Sequence, residues 1–275
     1  SGAGSVTWPG DMNWGPAGAQ GGASGPSSSA RIKNWPKNFI EEYKKDVILL
    51  AGETEAVFPI SKRTSRFLKK NNIEKDNQLG EVVSYLEERY KLLGVTTRRQ
   101  EFTWRGVKQT NLIAVIPGSD HSRPILLADH IDTAFCEDVF GKGGQRVSAP
   151  GADDNMSAAA ALLRAAEIFK GGELGSDIWL VHLTGEEFPA DDLGARYFIS
   201  DLLSSKQDIG GLVLLDMIGW RKDGDRVFQV NAGESAESLR LARTAMDSAK
   251  SVSGLTPVLR TRFDPKSYLY NTDRL

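Results

Sequence analysis

The chain has 275 residues, 40% of them hydrophobic and 25% charged, which suits one large or two small globular domains and excludes a disordered chain. Its 34 basic and 36 acidic side chains leave a formal charge of −2, so neither nucleic acid nor an anionic membrane is an expected partner. The longest aliphatic runs, Val47–Ala51 and Leu212–Leu215, fall far short of the roughly 18 residues of a membrane span, and the single Cys136 excludes an intrachain disulfide and a Cys-rich zinc finger.

Residues 1–30 hold eight Gly, three Pro and six Ser, with Asp11 the only charge before Arg31. Such a segment cannot bury enough apolar surface to offset its ordering entropy, so it is predicted to be a flexible tail, in preference to one pinned to the domain by Trp8 and Trp14. The domain is expected over 31–275. The Ser-Gly start reads as a processed or engineered terminus, and the compartment expected is secreted or periplasmic.

Phe39, Ile40, Tyr43, Val47 and Leu50 recur at helical spacing, with Gly52 as the stop. Leu79, Val82, Val83, Leu86, Tyr90 and Leu93 form a second helical stripe, closed by Gly94 in the C′ position. Val95–Trp104 and Thr110–Pro117, separated by Arg105-Gly106, predict a β-hairpin. Beyond it, apolar runs at Ile125–Ala128, Ile178–Leu183, Leu212–Leu215, Val227–Val230 and Val258–Phe263 alternate with helical patterns at Ser157–Phe169, Leu193–Leu203 and Glu237–Ala249. That alternation predicts an α/β fold with a mostly parallel mixed sheet covered by helices on both faces. The helix from Ser157 is apolar nearly all round and is expected to be buried against the sheet.

Polar residues punctuate the strand ends. Ile125-Leu-Leu-Ala-Asp-His130-Ile-Asp132, Ile178-Trp-Leu-Val-His-Leu-Thr-Gly-Glu186-Glu187 and Leu212-Val-Leu-Leu-Asp216 each place acids just past an apolar run. Ligands of open α/β sheets bind at the carboxyl ends of strands, so these tips are expected to converge. Ala149-Pro-Gly-Ala-Asp153-Asp154-Asn155 adds acids at the positive end of the following helix. Burying these carboxylates together without cations costs too much, which predicts a metal cluster. Histidine with carboxylates and no thiolate suits zinc, before cobalt or manganese. Asp154, Glu187, Asp216 and a bound hydroxide would balance two divalent ions. Glu186 and Glu187, pointing apart, should take different roles.

With Asp129-His-Ile-Asp132, Ala149–Asn155, Thr184-Gly-Glu-Glu187 and Leu215-Asp-Met217 in this order and spacing, the sequence resembles the co-catalytic zinc exopeptidases that include aminopeptidase Y, bacterial leucyl aminopeptidases and glutamate carboxypeptidase II. The resemblance spans roughly residues 80–275. It implies that His130 binds one zinc with Asp132 orienting it, Asp154 bridges two zincs, Glu187 binds the other, Asp216 completes the His130 shell and Glu186 is the general base. Asp153 is expected to be a structural cap, and His182 and His121 to be structural.

Two departures from the family pattern stand out. Phe188-Pro-Ala-Asp-Asp192 lengthens the passage into the next helix; Asp191 or Asp192 either contacts a substrate amine or belongs to a solvated loop and helix cap. The family's last zinc ligand, a histidine well after the Asp216 position, has no counterpart, since no histidine follows His182. The expectation is that a second chain carries the missing C-terminal segment and that histidine; the alternative is a truncated chain with one weakly held metal.

The function expected is that of a metal-dependent aminopeptidase acting on peptides through a hydroxide held by two zincs, with Tyr268 or Tyr270 as an oxyanion contact. A glutaminyl cyclase-like enzyme with one zinc and a non-catalytic binding module of the same fold are the alternatives.

Overall fold

The computed structural model describes residues 7–8, 30–31, 36–72, 77–220, 226–251 and 255–269. The contacts of the backbone divide the chain into two units, whose main described bodies are residues 36–220 and 226–269. The tail expected over 1–30 lies outside the described residues, apart from the antiparallel pair Thr7–Trp8 and Ala30–Arg31.

In the larger unit, helix α1 (Phe39–Leu50) ends before Gly52, whose φ of 84° is left-handed and whose Cβ would lie 2.2 Å from the Phe67 carbonyl oxygen. Only glycine fits there. Helix α2 (Leu79–Leu92) buries Leu79, Val82, Val83, Leu86 and Tyr90, the stripe read from spacing, and Gly94 follows at φ 69°.

Strands β1 (Thr96–Trp104) and β2 (Val107–Ile116) form the hairpin. Arg105 and Gly106 both have positive φ, 48° and 77°, the condition for a turn that matches the strand twist. Strands β3 (Asp120–His130), β4 (Ser176–Leu183) and β5 (Gly211–Leu214) complete a five-stranded sheet of order β5-β3-β4-β2-β1. β3 runs parallel to both β4 and β5, while β4–β2 and β2–β1 are antiparallel. Helix α3 (Met156–Phe169) follows β3, and α4 (Leu193–Ser205) follows β4.

Alternation along β2 distributes the core. Leu112, Ala114 and Ile116 join the cluster formed with α1, α2 and α3, whereas Ile113 packs with Ala195, Phe198 and Leu202 of α4. Helices thus cover both faces of a mixed α/β sheet. Ala158, Ala159, Ala160, Leu162, Leu163 and Ala166 make α3 buried along most of its length, as its composition predicts.

Charge is buried among these helices too. Asp46 on α1 accepts from Arg89 of α2 at 2.7 Å and from Arg164 of α3 at 2.8 Å, and Glu167 also reaches Arg164 at 3.0 Å.

Lys70 is fully buried, and its ammonium donates to the Phe67 carbonyl at 2.8 Å. Burial pulls its pKa down to about 8. The unfolded chain therefore binds more protons than the folded one from about pH 8 to about 10.4, and stability contributed at this site rises with pH across that window. Lys70→Met is expected to stabilise by roughly 1–3 kcal/mol at pH 7, the difference narrowing as pH rises to about 10.4. Thermal melts of both proteins at several pH values check this; an advantage independent of pH would locate the gain elsewhere.

The smaller unit is a strand–helix–strand unit. β6 (Val227–Ala232) and β7 (Thr256–Thr261) pair in parallel and are joined by α5 (Ala236–Ser251). Tyr268 belongs to this unit, where its backbone N–H donates to Asn231 Oδ1, while Tyr270 lies outside the described residues. No helix among the described residues is long and apolar enough to cross a membrane.

Candidate metal centre

Parallel pairing puts the carboxyl ends of three strands side by side. His130 closes β3 opposite Leu183 of β4, and Leu214 of β5 pairs with Ala128. Glu186, Glu187 and Asp216 follow these ends at once, and the loop into α3 brings Asp154 to the same edge. His130, Asp154 and Asp216 each offer a ligand atom, all within 4.8 Å of one another.

The imidazole is oriented by backbone. His130 Nδ1 lies 3.2 Å from the Asp132 carbonyl oxygen, which suits an N–H donor there and leaves Nε2 to face the acids. Nε2 is 3.2 Å from Asp154, 3.7 Å from Asp216 and 3.9 Å from Glu186. The Asp154 side chain is 43% exposed against 1% for His130, so the cluster opens to solvent on the Asp154 side.

Electrostatics describe acids short of counter-charge. Burial pushes Glu186 up to about 8, with Glu187, Asp132 and Asp216 adding to it against the pull of His130. Burial and then Asp154 push Glu187 up to about 7. For His130, burial opposes the charged form, but Asp132, Asp154 and Asp216 hold its pKa well above the ordinary imidazole value. Glu187 Oε1 is buried without a hydrogen-bond partner. One imidazole, several carboxylates and no thiolate form a donor set that fits zinc, and a cation would relieve both the crowding and the orphaned oxygen.

Asp132 does more than sit beside His130. Its carboxylate, 3.7 Å from His130 Nδ1, accepts the backbone N–H of Glu186 at 3.2 Å and of Glu187 at 3.0 Å, along with the Asn72 amide. It anchors the turn that carries both glutamates.

The cap expected at Asp153 is a correction. Asn155 occupies the α3 N-cap, without a side-chain capping bond, and Asp153 Oδ1 instead accepts the N–H groups of Gly219 at 2.7 Å and Trp220 at 3.0 Å. Asn155 donates to the Leu215 carbonyl and accepts from Met217 N, while Ser157 Oγ accepts from Ile218 N. The start of α3 therefore grips the whole segment around Asp216. Helical dipole arguments alone point these side chains at their own helix, and only the fold brings residues 215–220 within reach.

The remaining polar residues sort themselves. His182 is buried between Asp129, at 2.8 Å, and the Tyr90 hydroxyl, at 2.6 Å. His121 pairs with Asp177 near the opposite end of β3. In the 188–192 loop, Asp191 is 82% exposed and pairs with Arg196 at 3.3 Å. The loop folds back through Ala190 N to the Glu187 carbonyl and Leu193 N to the Gly185 carbonyl. Sequence reasoning missed Asn72, Gln109 and Asn111, buried amides that contact Thr184.

The profile of peptidase family M28 matches residues 111–268, more than half of the chain. The chain belongs to peptidase family M28.

Solved structures share the M28 chain's fold at low identity. A glutaminyl cyclase of Bacteroides thetaiotaomicron, bound to N-acetylhistamine, matches with a TM-score of 0.65 at 16% identity, over 87% of this chain and 80% of that one. A Zn-dependent exopeptidase of Parabacteroides distasonis matches at 0.55 and 18% identity, over 88% and 91%. Two structures of LapA from Legionella pneumophila, one described as an aminopeptidase, match at 0.58 and 0.60 with 14% and 13% identity. They are covered over 80% and 90% of this chain but 56% and 63% of their own, so the M28 chain spans less than two thirds of LapA.

Proposed function

We propose that this M28 chain provides the centre of a zinc-dependent aminopeptidase acting on peptides. The observation that carries the reading is the meeting of His130, Asp154 and Asp216 in one ligand-sized cluster. His130, Asp154 and Asp216 would hold one zinc, and Asp154 with Glu187 the second. Bound there, the pair would polarise the scissile carbonyl and acidify the attacking water. Glu186, next to Glu187 but outside the ligand set, takes the proton of that water and passes it to the leaving amine. The Asp132 carboxylate keeps the Glu186 backbone in place while it does so. The chain has three histidines, and His121 and His182 are engaged elsewhere, so a histidine for the Glu187 zinc would come from a further segment or a second chain.

The likeness to the Bacteroides glutaminyl cyclase favours a second reading, an enzyme that cyclises N-terminal glutamine using one zinc. A panel of aminoacyl and N-terminal glutaminyl peptides, assayed with added zinc, separates the readings. Release of a free N-terminal amino acid supports the peptidase; release of ammonia with the peptide intact supports the cyclase; turnover of neither leaves a binding module.

Metal counting tests the bridge. Asp154→Ala is expected to lose both zincs, because one carboxylate neutralises two cations, whereas Asp216→Ala loses mainly one. Equal loss in the two variants, measured as zinc per protein, contradicts the bridging role.

A further inference from the structure

Asn72 lies upstream of residues 111–268, which carry the family match, yet it is fully buried against the centre. Its amide nitrogen donates to Asp132 Oδ2, the oxygen that also accepts Glu187 N at 3.0 Å. Its amide oxygen lies 3.2 Å from Thr184 Oγ1 and shares that hydroxyl's proton with Gln109 Oε1 at 3.1 Å, while its backbone carbonyl accepts from Gln109 Nε2 at 3.0 Å. The residue is held from behind as well. Thr133 N donates to the Lys70 carbonyl at 3.0 Å, and Asn71 Nδ2 donates to the Thr133 carbonyl at 3.3 Å. Residues 70–72 thus run as a rib along Asp132 and Thr133.

Asp132 and Thr184 follow the tips of neighbouring strands, one beside His130 and the other leading into Glu186 and Glu187. We propose that Asn72 is a positioning residue, which braces Asp132 against Thr184, sets the spacing between His130 and Glu187, and thereby raises the affinity of the centre for zinc. The chemistry of the spot selects an amide. It must donate to a carboxylate and accept from a hydroxyl with no water to help. An aspartate would face Asp132 with a second negative charge, and an aliphatic side chain would do neither job. Without the brace, Asp132 keeps its two backbone N–H donors but can shift together with the glutamate turn, and the ligands lose their preset separation.

The inference rests on Glu187 as a zinc ligand, so zinc titration of the metal-free protein by calorimetry includes Glu187→Gln as a reference. Asn72→Ala and the nearly isosteric Asn72→Leu are each expected to weaken zinc binding by about 10- to 100-fold. Affinity within about threefold of the starting protein in either folded variant overturns the proposal, whatever the melting temperature, since lost packing alone lowers stability without changing the affinity of folded molecules. Should neither variant fold, Thr184→Val decides: affinity weakened beyond about threefold supports the brace, and unchanged affinity overturns it. Unchanged affinity in Glu187→Gln instead removes the ligand assignment itself, a failure that is distinguishable because Asn72 then has no ligand to position.

Discussion

Glu186→Gln is expected to lower kcat by about 100-fold or more while the zinc content stays unchanged. Glutamine keeps the size of the side chain and both backbone bonds of the turn, so the carboxylate of Asp132 still fixes residues 186 and 187. What it removes is the capacity to take up a proton. The Glu186 side chain is 13% exposed and reaches to 3.9 Å from His130 Nε2, close enough to the ligand atoms to meet a water there without belonging to the His130, Asp154 and Asp216 set. Steady-state rates on an aminoacyl substrate, paired with zinc per protein, give the answer. Retained turnover in a fully loaded variant would put the base elsewhere.

The second large effect concerns folding. Asp46→Ala is expected to cost about 3–5 kcal/mol, because among packed helices it takes from Arg89 its carboxylate partner and leaves Arg164 with Glu167 alone. The Arg164 and Asp46 side chains are 5% and 7% exposed, so little water can reach Arg164 in place of the lost carboxylate. For a unit of this size that corresponds to a melting temperature lower by roughly 6–20 °C. Circular dichroism melts measure it. A fall below about 2 °C would show that the arginines find other partners or solvent, and that the three-helix charge hub adds little.

The elements were legible wherever apolar periodicity and punctuation agreed. The stripe from Leu79 to Leu93 with Gly94 emerged at nearly its observed bounds, and the hairpin around Arg105-Gly106 did so in its first strand, while its second begins at Val107, three residues before the expected Thr110. Strand starts were less visible. β3 begins at Asp120, five residues before the apolar run, because Asp120, His121 and Ser122 are exposed and carry no hydrophobic signal. The division after Trp220 was invisible for a related reason: the strand–helix alternation continues through Val227–Thr261 without a change of period, although β6 and β7 pair with each other within a unit of their own.

At the centre, the acids could be read because each interrupts an apolar strand at its end, where side chains of the same sheet edge must meet. Individual roles came from resemblance. The supporting residues could not be read at all. Asn72 and Asp132 are 60 positions apart and Asp153 and Gly219 are 66 apart, and no local pattern distinguishes such a donor or acceptor from a residue in an ordinary loop.

The hold of α3 on residues 215–220 has an implication for how this chain can change. Asp154 sits just ahead of the helix most deeply set in the core, and the opening of that helix also holds the backbone on either side of Asp216 through Asn155 and Ser157, whereas Phe188, beside Glu187, is 82% exposed in a loop fastened through its own backbone. Drift in the 188–192 loop can therefore change the surface beside Glu187 and leave the acids where they are. Drift in the opening turn of α3 moves both acids at once. Conservatism and novelty thus have separate addresses in the sequence, one in the turn that opens α3 and the other in residues 188–192.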